Sequence, residues 1–280
     1  MNKLFGLLGH RIGHSMSPLM QNDAFYQLGY PGHYHAFDVS SDQLKDTVAA
    51  IRVLNISGFN VTIPHKVAII EFLDEIDEEA RIIGAVNTVA NIDGRLIGYN
   101  TDGRGYLSSL LKVIEKPLAQ SQVLVIGAGG AARAVVTAIM NSGVSRMTIA
   151  NRTIEKAASI KENYQQYKRG NINILTLKEA EAIIGTYDII INTTSVGMSP
   201  NTDEIPIDLE NIKTRVILSD LIYNPIWTKW LRLGEEKGAI IHNGVGMFVE
   251  QGALAFQKWT GQVPDTEKMT RIVMKKLGGI

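Results

Sequence analysis

The chain has 280 residues, 45% of them hydrophobic and 20% charged, a composition typical of a globular protein with one large or two moderate domains. Basic and acidic side chains number 28 each, so the net charge favours neither a nucleic-acid nor an anionic-membrane partner. No cysteine is present, which excludes disulfides and thiol catalysis and favours a cytoplasmic location. The first apolar run, broken by Gly6 and Gly9, is too short for a membrane span.

Apolar spacing divides the chain into two halves that each alternate strands with helices. In the first half it predicts strands at KLFGLLG, YHAFDV and GFNVTI, and helices over about 17–28, 42–53 and 65–83, the last interrupted near 74–77. The stretch AVNTVANIDGRLIGYN predicts a hairpin that turns at Asp93-Gly94.

The second half begins after a helix predicted over about 103–114. Further strands are predicted at QVLVIG, RMTIANR, NINILTL, YDIIINTTS and RVILSDLIY, and the chain ends in helical sequence from about 246 to 277. Apolar strands that alternate with helices indicate a parallel sheet covered on both faces. The predicted fold class is therefore α/β in both halves.

The segment GAGGAA, Gly127–Ala132, fits the pattern G-x-G-x-x-G/A between a predicted strand and a predicted helix, the context in which that pattern indicates a dinucleotide site. Gly127 would allow the tight turn, Gly129 would let backbone N–H groups approach a pyrophosphate, and Ala132 would permit close packing of helix on strand. The helix N-terminus would then face the anion. The alternative is a tight turn that binds no ligand.

The residues that follow the next strand indicate which dinucleotide binds. An NAD site usually has an acidic residue there, which bonds the ribose 2′-hydroxyl. This chain has Asn151, Arg152 and Thr153 instead, with Lys156 one turn into the following helix. Because cations attract a 2′-phosphate that a carboxylate would repel, the segment favours NADP. Thr153 would also serve as the N-cap of that helix.

The segment GFNVTIPHK, Gly58–Lys66, changes from an apolar strand to polar residues. Thr62 points to the same side of the extended strand as Asn60, and Pro64 suits the first turn of a helix, so the strand is expected to stop there. Lys66 then follows the carboxyl end of the strand, the edge at which open α/β sheets bind ligands. The alternative is a solvated lysine in a helix's first turn, where the helix dipole disfavours a cation.

Two further polar segments precede predicted helices. In HSMSP, Ser15 and Ser17 lie on one side of an extended segment, and Pro18 makes Ser17 a natural N-cap. Two hydroxyls at a helix N-terminus can cap the helix or receive a small carboxylate. In GYNTDG, Asp102 can cap the next helix or act as a charged partner for Lys66.

Together these segments resemble the shikimate dehydrogenase family along nearly the whole chain. The matching motifs are HSMSP, GFNVTIPHK, GAVNT, YNTDG, GAGGAARA, NRT, NTTSVGM, the DxxYNP pattern at 220–225, and GVGMFVEQGA. The resemblance implies NADPH-dependent reduction of 3-dehydroshikimate to shikimate, on the route to chorismate and the aromatic amino acids. It also implies a substrate-binding domain over 1–104, completed by helices within 244–280, and a Rossmann-type NADP-binding domain over 105–243.

The family's functional residues carry over onto matching positions of this sequence. Lys66 and Asp102 would form the catalytic acid–base pair, and Ser15 and Ser17 would hold the substrate carboxylate. The ring and its hydroxyls would be lined by Thr62, Asn87, Tyr223 and Gln251. NADP would contact Gly127, Ala128, Gly129, Gly130, Ala131, Asn151, Arg152, Thr153 and Lys156, with Leu221, Gly244 and Met247 near the nicotinamide.

Elementary chemistry agrees with that assignment but leaves two alternatives open. Hydride reduction of a ketone leaves negative charge on oxygen, which Lys66 can stabilise when Asp102 orients it. Gln21 stands where the family usually has His, as in some quinate/shikimate dehydrogenases, so a quinate enzyme that uses NAD or NADP is one alternative. A non-catalytic sensor of shikimate-like acids is the other.

Other partners are limited by the same sequence features. The six histidines show no metal-ligand spacing, so no metal is expected. The expected partners are the small-molecule substrates shikimate and 3-dehydroshikimate, with no nucleic acid and no membrane. The expected assembly is a monomer or a homodimer.

Overall fold

The computed structural model describes residues 2–167 and 170–279, which form two compact units. The first unit contains the chain up to Thr101 together with Val249–Gly278, and the second contains Asp102–Phe248. The sequence-based boundaries, after residue 104 and before residue 244, differ from these divisions by a few residues.

The first unit is built on a mixed sheet of six described strands: β1 (Lys3–Gly9), β2 (Gly32–Asp38), β3 (Gly58–Val61), β4 (Glu75–Ile76), β5 (Thr88–Ile92) and β6 (Arg95–Tyr99). Their spatial order is β2-β1-β3-β5-β6-β4. β1 is parallel to β2 and β3, whereas β5 is antiparallel to β3 and β6. The carboxyl ends of β1, β3 and β6 therefore meet the amino end of β5 at one edge of the sheet.

Three helices of this unit lie between its strands: α1 (Ser17–Gln27), α2 (Leu44–Val53) and α3 (Glu78–Ile83). The apolar residues Leu44, Val48 and Ile51 recur on one face of α2 because they are four and three positions apart. They are buried with Phe59 and Val61 of β3 in one hydrophobic core. The predicted hairpin is confirmed, since β5 and β6 pair around Asp93-Gly94.

Two predictions for this unit were wrong. Ser17 is not the N-cap of α1, because the helix begins at Ser17 and Met16 occupies the cap position. Pro64 does not start a helix, because residues 63–67 form a turn that is followed by a 3₁₀ segment at Ala68–Phe72. Lys66 therefore lies in a turn, where no helix dipole opposes its charge.

The second unit contains a sheet of six described strands, all parallel: β7 (Gln122–Ile126), β8 (Arg146–Ala150), β9 (Ile172–Leu175), β10 (Ile189–Asn192), β11 (Ile217–Asp220) and β12 (Ile240–His242). Their order, β9-β8-β7-β10-β11-β12, is that of the doubly wound dinucleotide-binding fold. The order reverses between β7 and β10, and such sheets bind ligands at the carboxyl ends of the strands beside that reversal. β12 was not predicted from the sequence.

Helices accompany the strands of the second sheet and continue into the C-terminal segment. The helices of the second unit are α4 (Asp102–Leu110), α5 (Gly130–Asn141), α6 (Ile154–Tyr167), α7 (Leu177–Ala182) and α8 (Lys229–Glu236). They are followed by α9 (Gly244–Thr260) and α10 (Thr266–Lys276), separated at Gly261–Asp265. The predicted α/β fold, with a Rossmann-type parallel sheet, is thereby confirmed.

The C-terminal part of α9 completes the core of the first unit. The rings of Phe25 and Phe256 lie 4.8 Å apart, and those of Phe5 and Trp259 lie 5.3 Å apart. The indole Nε1–H of Trp259 also donates to the carbonyl of Val89 over 2.9 Å. This aromatic cluster joins α1 and α9 to the sheet.

Neither a membrane-spanning helix nor a metal centre is seen in the part of the chain that the structure describes. No helix within residues 2–167 and 170–279 is long and apolar enough to cross a membrane. Within the same residues, no three His, Asp or Glu side chains come together as a metal centre requires.

Candidate active site

A buried network of polar groups lies at the edge of the first sheet where β3 and β6 end and β5 begins. Tyr34 donates its hydroxyl to Oδ1 of Asn60 over 2.8 Å, and Asn60 donates to the Asn87 carbonyl and to Thr88 Oγ1, both over 3.1 Å. Oδ1 of Asn87 accepts from the backbone N–H of Thr101 over 2.8 Å. Each of these residues is at most 7% exposed, so the network holds the strand ends in fixed positions.

Lys66 lies in the turn that follows β3, and its side chain is partly exposed. Its backbone carbonyl accepts a hydrogen bond from the Val86 N–H over 2.8 Å, which fixes the turn beside Asn87. The preceding His65 is buried and contacts the carbonyl of Val39 through Nε2 over 2.7 Å. Both contacts hold the turn that carries Lys66 in place after β3.

Three hydroxyl groups predicted to contact substrate follow the carboxyl ends of neighbouring strands. Ser15 and Ser17 follow β1, and Thr62 follows β3. Ser15 Oγ accepts from the Ser17 N–H over 3.2 Å, so the Ser15 hydroxyl bonds the first backbone N–H of α1. Ser17 is 7% exposed, whereas Ser15 and Thr62 are half-buried.

Gln251 reaches the same polar edge from α9. Its Oε1 lies 3.5 Å from Nδ2 of Asn87, the outer limit of a hydrogen bond. Gln21 of α1 donates from Nε2 to the carbonyl of the adjacent Gly252 over 2.9 Å, while its buried Oε1 has no hydrogen-bond partner within the described residues. The motif position that departs from the family pattern thus fixes the backbone next to Gln251.

The glycine-rich segment of residues 127–131 runs from the end of β7 into the first turn of α5, at the reversal of the second sheet. Gly127 has φ of 109°, and an added Cβ would stand 2.6 Å from Thr193 Oγ1. At Gly129, the N-cap of α5, an added Cβ would meet nothing within 4 Å. The fold therefore requires glycine at Gly127, whereas the lack of a side chain at Gly129 leaves open space at a helix N-terminus, where a pyrophosphate fits. Ala132 is fully buried, as close packing of α5 requires.

The residues expected to recognise the 2′-phosphate follow the carboxyl end of β8. Arg152 and Lys156 are both exposed, and Thr153 immediately precedes α6. Asn151 donates from Nδ2 to the Thr153 carbonyl over 2.7 Å, which shapes the turn. Close in sequence to the glycine-rich segment, Arg133 of α5 donates to Ser159 of α6 over 3.1 Å, and burial lowers the pKa of its guanidinium.

The residues expected near the nicotinamide lie after β11 and β12. Gly244 begins α9, and an added Cβ there would stand 2.2 Å from the Leu221 carbonyl oxygen. The ring of Tyr223 stacks on Phe248 with centroids 4.5 Å apart, and burial raises its pKa. Met247 is 8% exposed, so most of its surface is packed against protein.

Asp102 is the first residue of α4 and is 4% exposed. The next residue, Gly103, lets α4 approach α5 closely, because an added Cβ would stand 2.6 Å from the Ala134 carbonyl oxygen. Asp102 also follows directly on Thr101, the residue held by Asn87. Within the second unit, the close packing of α4 on α5 holds the first turn of α4, which carries Asp102.

Asp220 is a buried carboxylate that sequence reasoning did not single out, although it opens the DxxYNP pattern. Its Oδ1 accepts from Asn192 Nδ2 over 3.1 Å and from the Ile222 N–H over 3.0 Å, and its Oδ2 accepts from Thr228 Oγ1 over 2.9 Å. Burial raises the pKa of Asp220 to about 6 despite these three donors. Because its donors come from the end of β10 and from the segment between β11 and α8, Asp220 holds that segment, which carries Leu221, at the carboxyl edge.

Comparisons with known proteins match segments of both units. Residues 7–89 match the shikimate dehydrogenase substrate binding domain, residues 109–204 match shikimate / quinate 5-dehydrogenase, and residues 244–274 match the shikimate 5′-dehydrogenase C-terminal domain. A shikimate dehydrogenase (NADP⁺) of Geobacillus sp. (strain WCH70) is 50% identical over 279 residues, which covers 100% of both chains.

Solved structures agree with the sequence matches. A shikimate dehydrogenase crystallised with NADP⁺ has a TM-score of 0.93 and 40% identity, over 99% of this chain and 96% of the other. Shikimate 5-dehydrogenase from Thermus thermophilus, crystallised with NADP(H) and shikimate, has a TM-score of 0.87 and 35% identity, over 98% of this chain and 99% of the other.

Proposed function

Because the chain belongs to the shikimate dehydrogenase family, we propose that it interconverts shikimate and 3-dehydroshikimate with NADP⁺ and NADPH, and that Lys66 and Asp102 form its acid–base pair. The resemblance drawn from the motifs is confirmed by relatives that match along the full chain. The enzyme class predicted, an NADP-dependent oxidoreductase that acts on a CH–OH group, is confirmed by the same relatives. The reaction belongs to the shikimate pathway.

The observation that carries the catalytic pair is a run of hydrogen bonds from Lys66 to the residue before Asp102. The Lys66 carbonyl accepts from the Val86 N–H, and the next residue, Asn87, accepts from the Thr101 N–H. Both hydrogen bonds are 2.8 Å long, and Asp102 follows Thr101 directly. The backbones of Lys66 and Thr101 are thus tied to neighbouring residues at the start of β5, which supports the proposed pairing of Lys66 with the residue after Thr101.

The polar edge of the first unit supplies the groups that a hydroxylated ring acid needs. Ser15 and Ser17 would receive the substrate carboxylate, because hydroxyls and N–H groups at a helix start favour an anion. Thr62, Asn87 and Gln251 would bond the ring hydroxyls, and the family resemblance assigns Tyr223 to the same substrate. We therefore assign substrate binding to the first unit and dinucleotide binding to the second.

The second unit fits NADP(H) at the carboxyl edge of its sheet. The open space at Gly129 and the N-terminus of α5 suit a pyrophosphate, while Arg152 and Lys156 suit a 2′-phosphate. The nicotinamide would lie near Leu221, Gly244 and Met247. When bound, the cofactor supplies or accepts the hydride, and the protein provides placement and electrostatics.

Lys66 and Asp102 manage the proton that accompanies hydride transfer. In the reducing direction the substrate oxygen gains negative charge, and the Lys66 ammonium stabilises it and donates a proton. In the oxidising direction the pair accepts the hydroxyl proton. Asp102 orients the lysine, so each residue is needed for turnover more than for binding.

The same proposal includes a cytoplasmic enzyme that acts as a monomer or a homodimer. The absence of cysteine throughout the chain suits a reducing compartment. The basic NRT segment favours NADP over NAD, and the presence of both Lys66 and Asp102 favours an enzyme over a sensor.

The test is an absorbance assay for reduced nicotinamide with shikimate or quinate, each with NADP⁺ or NAD⁺. We expect the fastest turnover with shikimate and NADP⁺. Faster oxidation of quinate with NAD⁺ would replace the proposal with a quinate enzyme, and binding of shikimate without turnover would indicate a sensor.

A further inference from the structure

A chain of four buried side chains connects α4 to the ends of β11 and β12. The hydroxyl of Tyr106 donates to Ser219 Oγ over 2.8 Å, and Ser219 Oγ lies 2.8 Å from Nδ1 of His242. Nε2 of His242 lies 2.8 Å from Ser109 Oγ. All four residues are at most 6% exposed, so the chain is shielded from water.

Burial lowers the pKa of His242 to about 4, so its ring is neutral near pH 7 and has one N–H donor and one acceptor. Because Ser219 already accepts from Tyr106, its own proton can go to Nδ1 of His242. The ring then carries its hydrogen on Nε2 and donates it to Ser109. In this arrangement every hydrogen bond in the chain has one donor and one acceptor.

These hydrogen-bonded side chains hold α4, the helix that begins with Asp102. Asp102, Tyr106 and Ser109 are four and three positions apart, so they lie on one face of α4. Tyr106 is hydrogen-bonded to Ser219, and Ser109 is hydrogen-bonded to His242. A rotation of α4 about its axis would break those bonds and would move Asp102 at the same time.

Ser109 also meets the start of α9, the segment expected near the nicotinamide. An added Cβ at Gly246 would stand 2.0 Å from Ser109 Oγ, so the two backbones approach closely there. On its other side α4 lies against α5, where Gly103 permits the approach to Ala134. The helix is therefore held between the cofactor-binding helix and the β12–α9 connection.

We propose that His242 is a positioning residue for Asp102: through Ser109, Ser219 and Tyr106 it fixes the rotation of α4 relative to the carboxyl ends of β11 and β12. This inference rests on the proposed catalytic role of Asp102. A purely structural histidine would contribute to folding stability alone. A positioning histidine would also set the rate and pH dependence of the chemical step, because small displacements of a catalytic group are costly.

The experiment compares Ser109→Ala, Tyr106→Phe and His242→Gln with the unaltered enzyme. We expect kcat to fall by about tenfold or more, since a displacement of ~1 Å can cost on the order of 100-fold, while the Kd for NADP⁺ stays within about twofold. The apparent pKa in the kcat–pH profile should shift as well. Ser109→Ala is the mildest change and keeps the test possible if His242→Gln does not fold.

Tyr187→Phe is the matched control, because Tyr187 is 3% exposed in the same unit and lies outside this chain of contacts. It should lower Tm without changing kcat or its pH profile. Wild-type kcat and pH profile in Ser109→Ala and Tyr106→Phe would overturn the inference, provided that Asp102→Asn is inactive. High turnover in Asp102→Asn would instead overturn the catalytic assignment itself.

Discussion

Tyr34 and Asn60 form a hydrogen bond of 2.8 Å between a buried phenol and a buried carboxamide oxygen. This bond begins the network that leads through Asn87 to Thr101. Burial also raises the pKa of Tyr34 well above its usual value, so the phenol stays a donor at any ordinary pH. The edge that carries the proposed substrate site is therefore held by neutral groups.

Tyr34→Phe should lower the free energy of unfolding by about 1–3 kcal/mol, because it leaves Oδ1 of Asn60 buried without its donor. Urea denaturation measures this change. Tyr26→Phe is the control, since Tyr26 is 83% exposed on α1, and it should have no effect. Equal stability of the two variants would show that the network does not support the fold.

Gly127 and Gly129 should respond differently to alanine. Gly129→Ala should fold normally, because the added Cβ meets nothing within 4 Å, yet it should raise the Kd for NADP⁺ by about tenfold, about 1.4 kcal/mol. Gly127→Ala should lose about 1–3 kcal/mol of stability, because its backbone conformation strains any other residue. Calorimetric titration and thermal melting measure the two effects. Unchanged NADP⁺ affinity in Gly129→Ala would exclude the loop as the pyrophosphate site.

Arg152→Ala should weaken NADP⁺ binding by about 10- to 100-fold, the range expected for loss of a charged hydrogen bond, with little effect on NAD⁺. Arg146 is the matched control, because it is exposed at the opposite end of the same strand, β8. Arg146→Ala should leave both affinities unchanged. Equal losses of NADP⁺ and NAD⁺ affinity in Arg152→Ala would contradict a contact with the 2′-phosphate.

Asp188 should make stability depend on acid pH. Burial raises its pKa, but hydrogen bonds from Lys116 and Lys213, at 2.7 and 2.6 Å, outweigh burial and hold the pKa at about 2. A carboxylate whose pKa is depressed on folding stabilises the protein above its unfolded pKa of about 4 and loses that contribution as pH falls through about 2.

The difference in unfolding free energy between wild type and Asp188→Asn should therefore be constant above about pH 5 and should shrink as pH falls from about 4 to 2. Urea denaturation across that range measures it. Asp203→Asn, at an exposed position, serves as the control and should show no such change. A difference that stays constant down to pH 2 would contradict the assigned ion pairs.

Features set by neighbours in sequence were predicted well. The hairpin turn could be read from Asp93-Gly94, whose φ values of 51° and 87° suit Asp and Gly. The glycine-rich loop could likewise be read from its glycines and from the strand and helix on either side. In both cases the residues that determine the backbone are adjacent along the chain.

Features set by distant partners were not predicted. The interruption of helical spacing near 74–77 was predicted, but its cause was not: Glu75–Ile76 pairs with β6, and Asp74 accepts from the Leu96 N–H over 2.7 Å. β12 is only three residues long and is defined by pairing with β11. A short apolar segment does not by itself reveal such pairing.

The candidate site also combines residues that local motifs predict with residues whose contacts are distant in sequence. The residues of the proposed catalytic pair could be named from motifs, because each motif is a local pattern. The residues that hold the site in place could not be predicted. Asn22 bonds both backbone groups of Tyr34, and His242 contacts Ser109 across 133 positions of sequence. No local spacing predicts contacts between residues so far apart.

The central claim is tested most directly by the kcat of Lys66→Ala and Asp102→Asn for shikimate oxidation with NADP⁺. Each should fall on the order of 10²- to 10⁴-fold, the usual contribution of a positioned acid or base, with the Kd for NADP⁺ unchanged. Lys45→Ala, at an exposed lysine of α2, should keep full activity. Near wild-type turnover in either Lys66→Ala or Asp102→Asn would contradict the acid–base pair.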